Sequence, residues 1–363
     1  MIFEPVYSIT NKIARDLMRM EAAKHAVIDL PITVLVQRKL RETARLVSTH
    51  YSTEIEGNRL TLAQAEKVIH AHQHFPDRKR DEQEVLGYYR ALDEIEKLLS
   101  KNTPVSEDVI KLLHARVIGG DKFQVKPAAY RDGQNVIKDS ISGKIVYMPP
   151  EAKDVPALMN SLVTWTNQAF KSEFPVPLIA GGAHYQFATI HPYYDGNGRT
   201  ARLLTAYIMH LGGYGLKGFY SLEEYYSRNL AAYYQALTIG PSHNYYLGRA
   251  EADITAWLEY FCEGAAEAFE KVKQRTEEAA KQGKQDKSPL LRKLDARQRQ
   301  ALGLFQENER ITSSDIAQLF NLKPRTASEL CGRWSEEGFI IALSAARKNR
   351  KYSLANMYQE LLD

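Results

Sequence analysis

The sequence predicts a mainly α-helical protein that carries one small β-hairpin and ends in a separate winged helix-turn-helix domain. Three observations carry that expectation. Apolar residues recur at spacings of three and four over most of residues 10–280, the period of an amphipathic helix. Residues 121–150 break this period with β-branched residues and glycines, a strand-and-turn composition. Residues 281–289 are polar and include a Gly and a Pro, and the chain beyond them has its own pattern.

Taken in order, residues 30–48 end in a helical pattern, and a second helix runs over 61–72 after the polar bend Glu56-Gly57-Asn58-Arg59. Over 81–99, Val85, Leu86, Tyr89, Leu92, Ile95, Glu96 and Leu99 recur at spacings of three and four, an amphipathic face with a polar back. Ser106 is placed to cap a helix through 114, which the bend Gly119-Gly120-Asp121 ends. Residues 135–137 and 144–147 read as the arms of a hairpin closed by residues 139–143. Met148-Pro149-Pro150 ends it, because proline has no N–H to give to a ladder.

Helix resumes over 155–170, 179–189 and 200–210, and a long Ala/Glu-rich helix is expected over 251–280. After the linker, Asp295 caps a helix to 306, Thr312 or Ser313 caps 314–320, and Pro324 opens a helix to 337. Residues 339–343 and 350–354 are strand-like and flank the basic turn Arg347-Lys348-Asn349-Arg350. Three helices and a β-wing in this order suggest the winged domain.

Composition excludes several classes. A chain of 363 residues has the length of about two domains. With 44% hydrophobic and 25% charged residues it reads as globular, and it lacks the roughly 18-residue apolar run of a membrane span. Its first residues lack the basic start and apolar core of a signal peptide. Two cysteines, Cys262 and Cys331, cannot build a disulfide framework or a four-thiolate metal site, so a reducing cytoplasm is expected. The net charge of +4 is localised: residues 281–363 carry 15 Lys and Arg against 10 Asp and Glu, and the rest is close to balanced. That excess points weakly to an acidic or nucleic-acid partner of the C-terminal domain. The run His70-Ala71-His72-Gln73-His74 has no zinc-site spacing and reads as solvated histidines at a helix end.

The densest polar constellation is His191-Pro192-Tyr193-Tyr194-Asp195-Gly196-Asn197-Gly198-Arg199-Thr200-Ala201-Arg202. Glycines at 196 and 198 let successive N–H groups converge as an anion-binding nest, and the loop feeds a helix N-terminus that favours phosphate. Arg199 and Arg202, three apart, reach one face with donors suited to phosphoryl oxygens. Asp195 offers a hard oxygen to Mg²⁺, and His191 is a base. The set describes a nucleotide-phosphate site with a divalent ion and a proton acceptor. No Walker A loop or kinase motif set competes with it.

This string resembles the motif of the Fic (filamentation induced by cAMP) family, His-Xaa-Phe-Xaa-Asp/Glu-Gly-Asn-Gly-Arg-Xaa-Xaa-Arg. Every defined position matches except that Tyr193 stands for Phe, a mild change provided its hydroxyl finds a partner. The resemblance spans about residues 45–245. It implies a helical core that transfers AMP from ATP to a hydroxyl side chain of a protein. His191 would be the base and Asp195 the Mg²⁺ ligand. Gly196, Gly198 and the Asn197 side chain would cradle the α- and β-phosphates. Arg199 would act on the leaving pyrophosphate and Arg202 hold the γ-phosphate.

The same resemblance makes the hairpin a flap that pairs with an extended target segment through Ile145, Val146, Tyr147 and Met148. Tyr147 and Met148 would flank the target hydroxyl side chain. Val136, Ile137 and Lys138 stand where relatives have adenosine contacts, and Tyr233 and Tyr234 where they line the base pocket. Ser52-Thr53-Glu54-Ile55-Glu56-Gly57-Asn58 is similar to the family's inhibitory motif, with Ser52, Glu56 and Gly57 at its defined positions. Glu56 would pair with Arg202 and misalign bound ATP, and is a candidate for removing AMP as well.

The domains expected are an N-terminal region with the inhibitory motif at 1–100, the catalytic core at 101–250, the long helix and linker at 251–289, and the winged domain at 290–363. The cofactors expected are ATP and Mg²⁺. The partners expected are a protein substrate at the flap, the chain itself as a target, a homodimer, and DNA or protein at the C-terminal domain, with no membrane. Two other functions stay open: a transferase using another nucleotide or phosphate donor, and a DNA-binding regulator with a quiescent core.

Overall fold

The computed structural model describes residues 3–30, 32–138, 143, 145–240, 243–282, 288–343, 350–359 and 361–362. The chain divides into two units, residues 1–24 with 43–271, and residues 25–42 with 272–363. Helices α1 (Asn11–Asp29) and α2 (Val34–Ile55), and the long helix Thr255–Gln282, each contribute to both units.

The first unit is mostly helical, as expected. Thr61 and Gln64 form a reciprocal capping box on α3 (Leu62–Ala71). Next come α4 (Lys79–Ser100) and α5 (Glu107–Gly119), the latter started by Ser106, whose hydroxyl accepts from the Val109 N–H. A short antiparallel hairpin follows, β1 (Ile137–Lys138) and β2 (Ile145–Tyr147), with Ile137 opposite Tyr147 and Lys138 opposite Ile145.

The first hairpin arm thus starts two residues later and ends one residue later than the sequence suggests. Asn135 is drawn out of it because its side-chain amide donates to the Tyr193 carbonyl at 3.1 Å. Of the expected closing turn, residues 139–143, only Gly143 is among those described, with φ 67°; residue 144 of the expected second arm also lies outside them.

Helices α6 (Val155–Lys171), α7 (Val176–Ile190) and α8 (Asn197–Leu211) follow. Then come α9 (Glu223–Arg228), α10 (Leu230–Leu237) and α11 (Thr255–Gln282). The short helices α9 and α10 have no counterpart in the sequence reading. The long helix starts at Thr255 rather than 251, because the Asp253 carboxylate takes the Thr255 N–H at 2.8 Å and caps it there. Nearly every residue of α7 is buried, the burial expected of a helix that is apolar or small all round. It packs against α6 and α8, and the Trp257 indole on α11 donates to the Gly181 carbonyl at 2.8 Å. The central helix is therefore a rigid post, and the motif loop leaves from its C-terminal end.

The second unit contains α12 (Ser288–Arg292), α13 (Ala296–Glu307), β3 (Ile311–Thr312), α14 (Ser313–Phe320) and α15 (Pro324–Glu336). It ends with β4 (Ile340–Ala342), β5 (Lys351–Leu354) and α16 (Asn356–Gln359). Capping boxes at Asp295 and Thr312 start α13 and α14 where the sequence suggests. The three strands form an antiparallel sheet in the order β3, β5, β4, over a core that includes Leu302, Ile316, Leu330, Trp334, Phe339 and Tyr352. Strand β3 is a difference from expectation: only two residues long, it gives no period-2 signal. Ser288 and Pro289 lie in α12 instead of the linker, whose residues 283–287 are outside those described, as are residues 347–349 of the basic turn expected at 347–350. Among the described residues no helix is long and apolar enough to cross a membrane.

Candidate active site

Helix α7 stops at Ile190 because His191 takes a left-handed conformation, φ 51°, and Pro192 follows. The His191 N–H still closes the last turn on the Phe187 carbonyl at 3.0 Å. Tyr193 turns inward and stacks on the His114 imidazole, centroids 3.5 Å apart and rings 5° from parallel. Its hydroxyl is buried without a hydrogen-bond partner among the described residues, so the condition attached to Tyr in place of Phe is not met.

Asn197 also departs from expectation. Its side-chain oxygen accepts from the Tyr193 N–H at 2.9 Å, and its amide donates to the Tyr193 carbonyl at 2.7 Å. The buried amide closes the loop on itself and is not free to cradle phosphate.

Gly196 has φ 78°, and a Cβ there would press on Ile118 and His114, so the turn requires glycine. His114 Nε2 lies 3.0 Å from the Asp195 carbonyl and holds the other side of the turn. No side chain caps α8, which leaves the N–H groups of its first turn available to an anion.

Both arginines of the motif are buried beneath this turn. Arg199 lies 3.2 Å from Asp195 Oδ1 and 3.8 Å from Glu84 Oε1, and its Nε has no partner among the described residues. Glu84 is held in turn by the Asn58 amide at 3.0 Å and by Arg80 at 3.0 Å. Arg202 donates from Nε to the Ser52 hydroxyl and from Nη2 to the Ser52 carbonyl and to Glu56 Oε1, each at 2.8 Å. Burial opposes the charge of Arg202, but Glu56 and the neighbouring groups outweigh it and raise its pKa above the ordinary value. The Glu56 carboxylate lies where a Cβ on residue 198 would stand, so only glycine at 198 admits it against the first turn of α8. Gly57, φ 90°, ends α2 immediately after Glu56.

Burial pushes the His191 pKa down to about 4, leaving the imidazole neutral near pH 7. Its Nδ1 lies 3.4 Å from the Ala188 carbonyl, which can only accept, so the proton sits on Nδ1 and Nε2 keeps its lone pair. Asp195 is 64% exposed along its side chain. Its Oδ1 takes the Gly196 N–H at 2.6 Å and the Arg199 contact, while Oδ2 has no hydrogen-bond partner among the described residues. No group of three or more His, Cys, Asp or Glu that could hold a metal occurs among them. A single outward carboxylate oxygen still fits Mg²⁺, which binds through one or two carboxylates together with substrate phosphates and water.

Of the tyrosine pair, only one is open. Tyr233 is buried, stacked on Tyr226 at 4.6 Å, and its hydroxyl donates to His184 Nε2 at 2.9 Å. The direction follows from a chain: the Thr205 hydroxyl donates to the Ala201 carbonyl, so His184 Nδ1 donates to Thr205. Tyr234 is half-exposed, and its hydroxyl reaches the Ile55 carbonyl at 3.4 Å, next to Glu56.

In the hairpin, Val136 and Ile137 are half-buried and Lys138 is exposed. Ile145 and Val146 are exposed. Tyr147 points inward, its hydroxyl donating to the Thr189 carbonyl at 2.9 Å, so it cannot flank a target side chain. The Met148 N–H donates to the His243 carbonyl and its carbonyl accepts from the Tyr245 N–H. Because alternate residues of a strand bond to opposite edges, Val146 is the residue of β2 whose backbone faces the same edge as Met148.

Three residues at the site were not read as such from the sequence: His114, Glu84 and Arg131. Glu84 had a signal. Asp81, Glu84, Tyr88, Ala91 and Ile95 follow helical spacing and are buried together, so a carboxylate on that stripe must have a partner. His114 and Arg131 carry no comparable local signal.

Residues 104–209 match the model of the Fic/DOC family. The protein adenylyltransferase Fic of Drosophila willistoni is 28% identical over 201 residues, covering 55% of this chain and 39% of that protein. The chain thus matches less than half the length of that curated relative. A Fic family protein from Desulfovibrio desulfuricans superposes with a TM-score of 0.60 at 22% identity, over 98% of this chain and 99% of the other, a likeness of fold. Fic-1 from C. elegans superposes with a TM-score of 0.59 at 25% identity, over 74% of this chain and 73% of the other.

Proposed function

We propose that this chain, which carries a Fic domain at residues 104–209, transfers AMP from ATP to a Ser, Thr or Tyr hydroxyl of a protein and is restrained by Glu56. The observation that carries the reading is the composition of one short loop. It combines a neutral His191 with a free Nε2, an outward Asp195 oxygen, an uncapped helix N-terminus, and Arg199 and Arg202. Relatives named adenylyltransferase favour ATP as the donor.

The target hydroxyl oxygen attacks the α-phosphorus, the bond from that phosphorus to the bridging oxygen breaks, and pyrophosphate leaves. His191 Nε2 takes the hydroxyl proton. The N–H groups of the first turn of α8 hold phosphate oxygens, and Arg199 and Arg202 neutralise charge that grows on the leaving group. Asp195 would hold Mg²⁺, which when bound shields the phosphate charge. The target segment would pair with the edge of β2 at Val146, with Ile145 on the adjoining exposed surface. As long as Glu56 holds Arg202 and covers the first turn of α8, the γ-phosphate is denied both groups.

The test is intact-mass analysis of the chain and of candidate target proteins after incubation with Mg²⁺ and ATP, UTP or CDP-choline in separate arms. An AMP adduct from ATP is expected, lost in His191→Ala while ATP binding persists. An adduct only from another donor, or none even from Glu56→Gly, would overturn the reading.

A further inference from the structure

Arg131 lies between α5 and β1, is 4% exposed, and has no carboxylate partner among the described residues. Its donors point at main-chain carbonyls instead. Nε donates to His191 at 3.0 Å, Nη1 to Gly133 at 3.0 Å, and Nη2 to Pro150 and, at 3.5 Å, to Ile190. Its own N–H donates to the Pro192 carbonyl at 2.9 Å. One residue therefore grips three consecutive positions, 190–192, around the candidate base, and also both flanks of the hairpin, Gly133 before β1 and Pro150 after β2.

The grip falls where the backbone needs it. A left-handed conformation is unfavourable for a residue with a Cβ, and it persists only when its surroundings impose it. His191 adopts it with φ 51°. A planar guanidinium spreads five donors over three nitrogens in fixed directions, whereas an ammonium offers three donors from a single rotatable nitrogen.

We propose that Arg131 is a positioning residue for the transfer reaction: it holds His191 in the turn that presents its imidazole, and fixes the hairpin flanks to the same carbonyl cluster. One group would thereby set the base and the target-binding strand relative to each other. The inference rests on the transfer reading above. Charge adds a second, separable effect. Burial is the main cause of the low His191 pKa; the Ala188 carbonyl and the Glu56 and Asp195 carboxylates oppose it, and the Arg131 charge reinforces it.

The fork can be removed with the charge or without it. In a Glu56→Gly background, Arg131→Lys retains charge and loses the fork, and Arg131→Met loses both. Turnover and the KM for ATP are measured for each, and the His191 imidazole is titrated by NMR in the full chain, its resonance assigned by its absence in His191→Gln. The expected result is a fall in kcat of about 100-fold in both variants with KM changed by less than about threefold. The His191 pKa should stay low in Arg131→Lys and rise in Arg131→Met. A Lys variant that melts like its parent and keeps kcat within about threefold, or a loss confined to KM, overturns the proposal. Should Arg131→Met not fold, the Lys variant decides alone. Should the Glu56→Gly parent transfer no AMP, the function reading fails and the backbone shifts of His191 decide the positioning role: Cα and Cβ shifts unmoved by Arg131→Lys rule it out, and shifts that leave the left-handed range support it.

Discussion

Glu56 and Arg202 meet across the first turn of α8, Oε1 to Nη2 at 2.8 Å, with the carboxylate seated against Gly198. A buried guanidinium that loses its partner destabilises a fold strongly unless other acceptors remain. Ser52 supplies two such acceptors through its hydroxyl and carbonyl. Removing Glu56 therefore leaves Arg202 anchored and charged but with one donor free, the state a phosphate requires.

Tyr193→Phe is expected to stabilise the chain. The hydroxyl is buried with no partner among the described residues, and deleting an unsatisfied polar group returns about 1 kcal/mol. Urea denaturation measures it, and a loss of stability would mean that the hydroxyl is satisfied in solution.

Asn58→Ala is expected to cost about 2–4 kcal/mol. The amide donates to the Asp81 carbonyl and Glu84, and its oxygen accepts from the Leu60 N–H. Truncation leaves a buried carboxylate and two main-chain groups short of partners. A change within about 0.5 kcal/mol by the same denaturation assay would contradict this.

The motif was legible because its residues are contiguous, and its spacing sets loop, helix start and arginine face together. What the spacing did not convey is which way each side chain turns. Asn197 closes the loop because its amide fits both main-chain groups of Tyr193. Tyr147 and Tyr233 face inward because their hydroxyls find Thr189 and His184. Arg131 and His114 act across about 60 and 80 residues of chain, and such contacts leave no trace in local periodicity. The same limit explains the hairpin, whose first arm is shifted by a single tether from Asn135 to Tyr193.

The pH dependence of stability should carry the signature of His191. The unfolded residue titrates near 6.5 and the folded one near 4, so between these values the unfolded chain binds more protons and stability falls as the pH falls. His191→Gln lacks this contribution. Its stability relative to the parent should improve by up to about 2 kcal/mol on going from pH 7.5 to pH 5. Equal losses in both proteins would place the histidine pKa near its ordinary value.

Asp195→Asn keeps an oxygen for the Gly196 N–H and removes the charge. The Mg²⁺ concentration needed for tight ATP binding, measured by calorimetry, should rise by about tenfold or more. An unchanged requirement would remove Asp195 as the ligand.

The central claim is that Glu56 restrains a competent transferase by occupying Arg202. It is tested most directly by intact-mass measurement of AMP incorporation with Mg²⁺ and ATP in the parent, Glu56→Gly, and Glu56→Gly combined with Arg202→Ala. Residues that act through one contact give non-additive effects. The single variant should incorporate AMP at least about tenfold faster than the parent, and the double variant should lose most of that gain. Equal incorporation by parent and single variant, or a gain that survives loss of Arg202, would contradict the account.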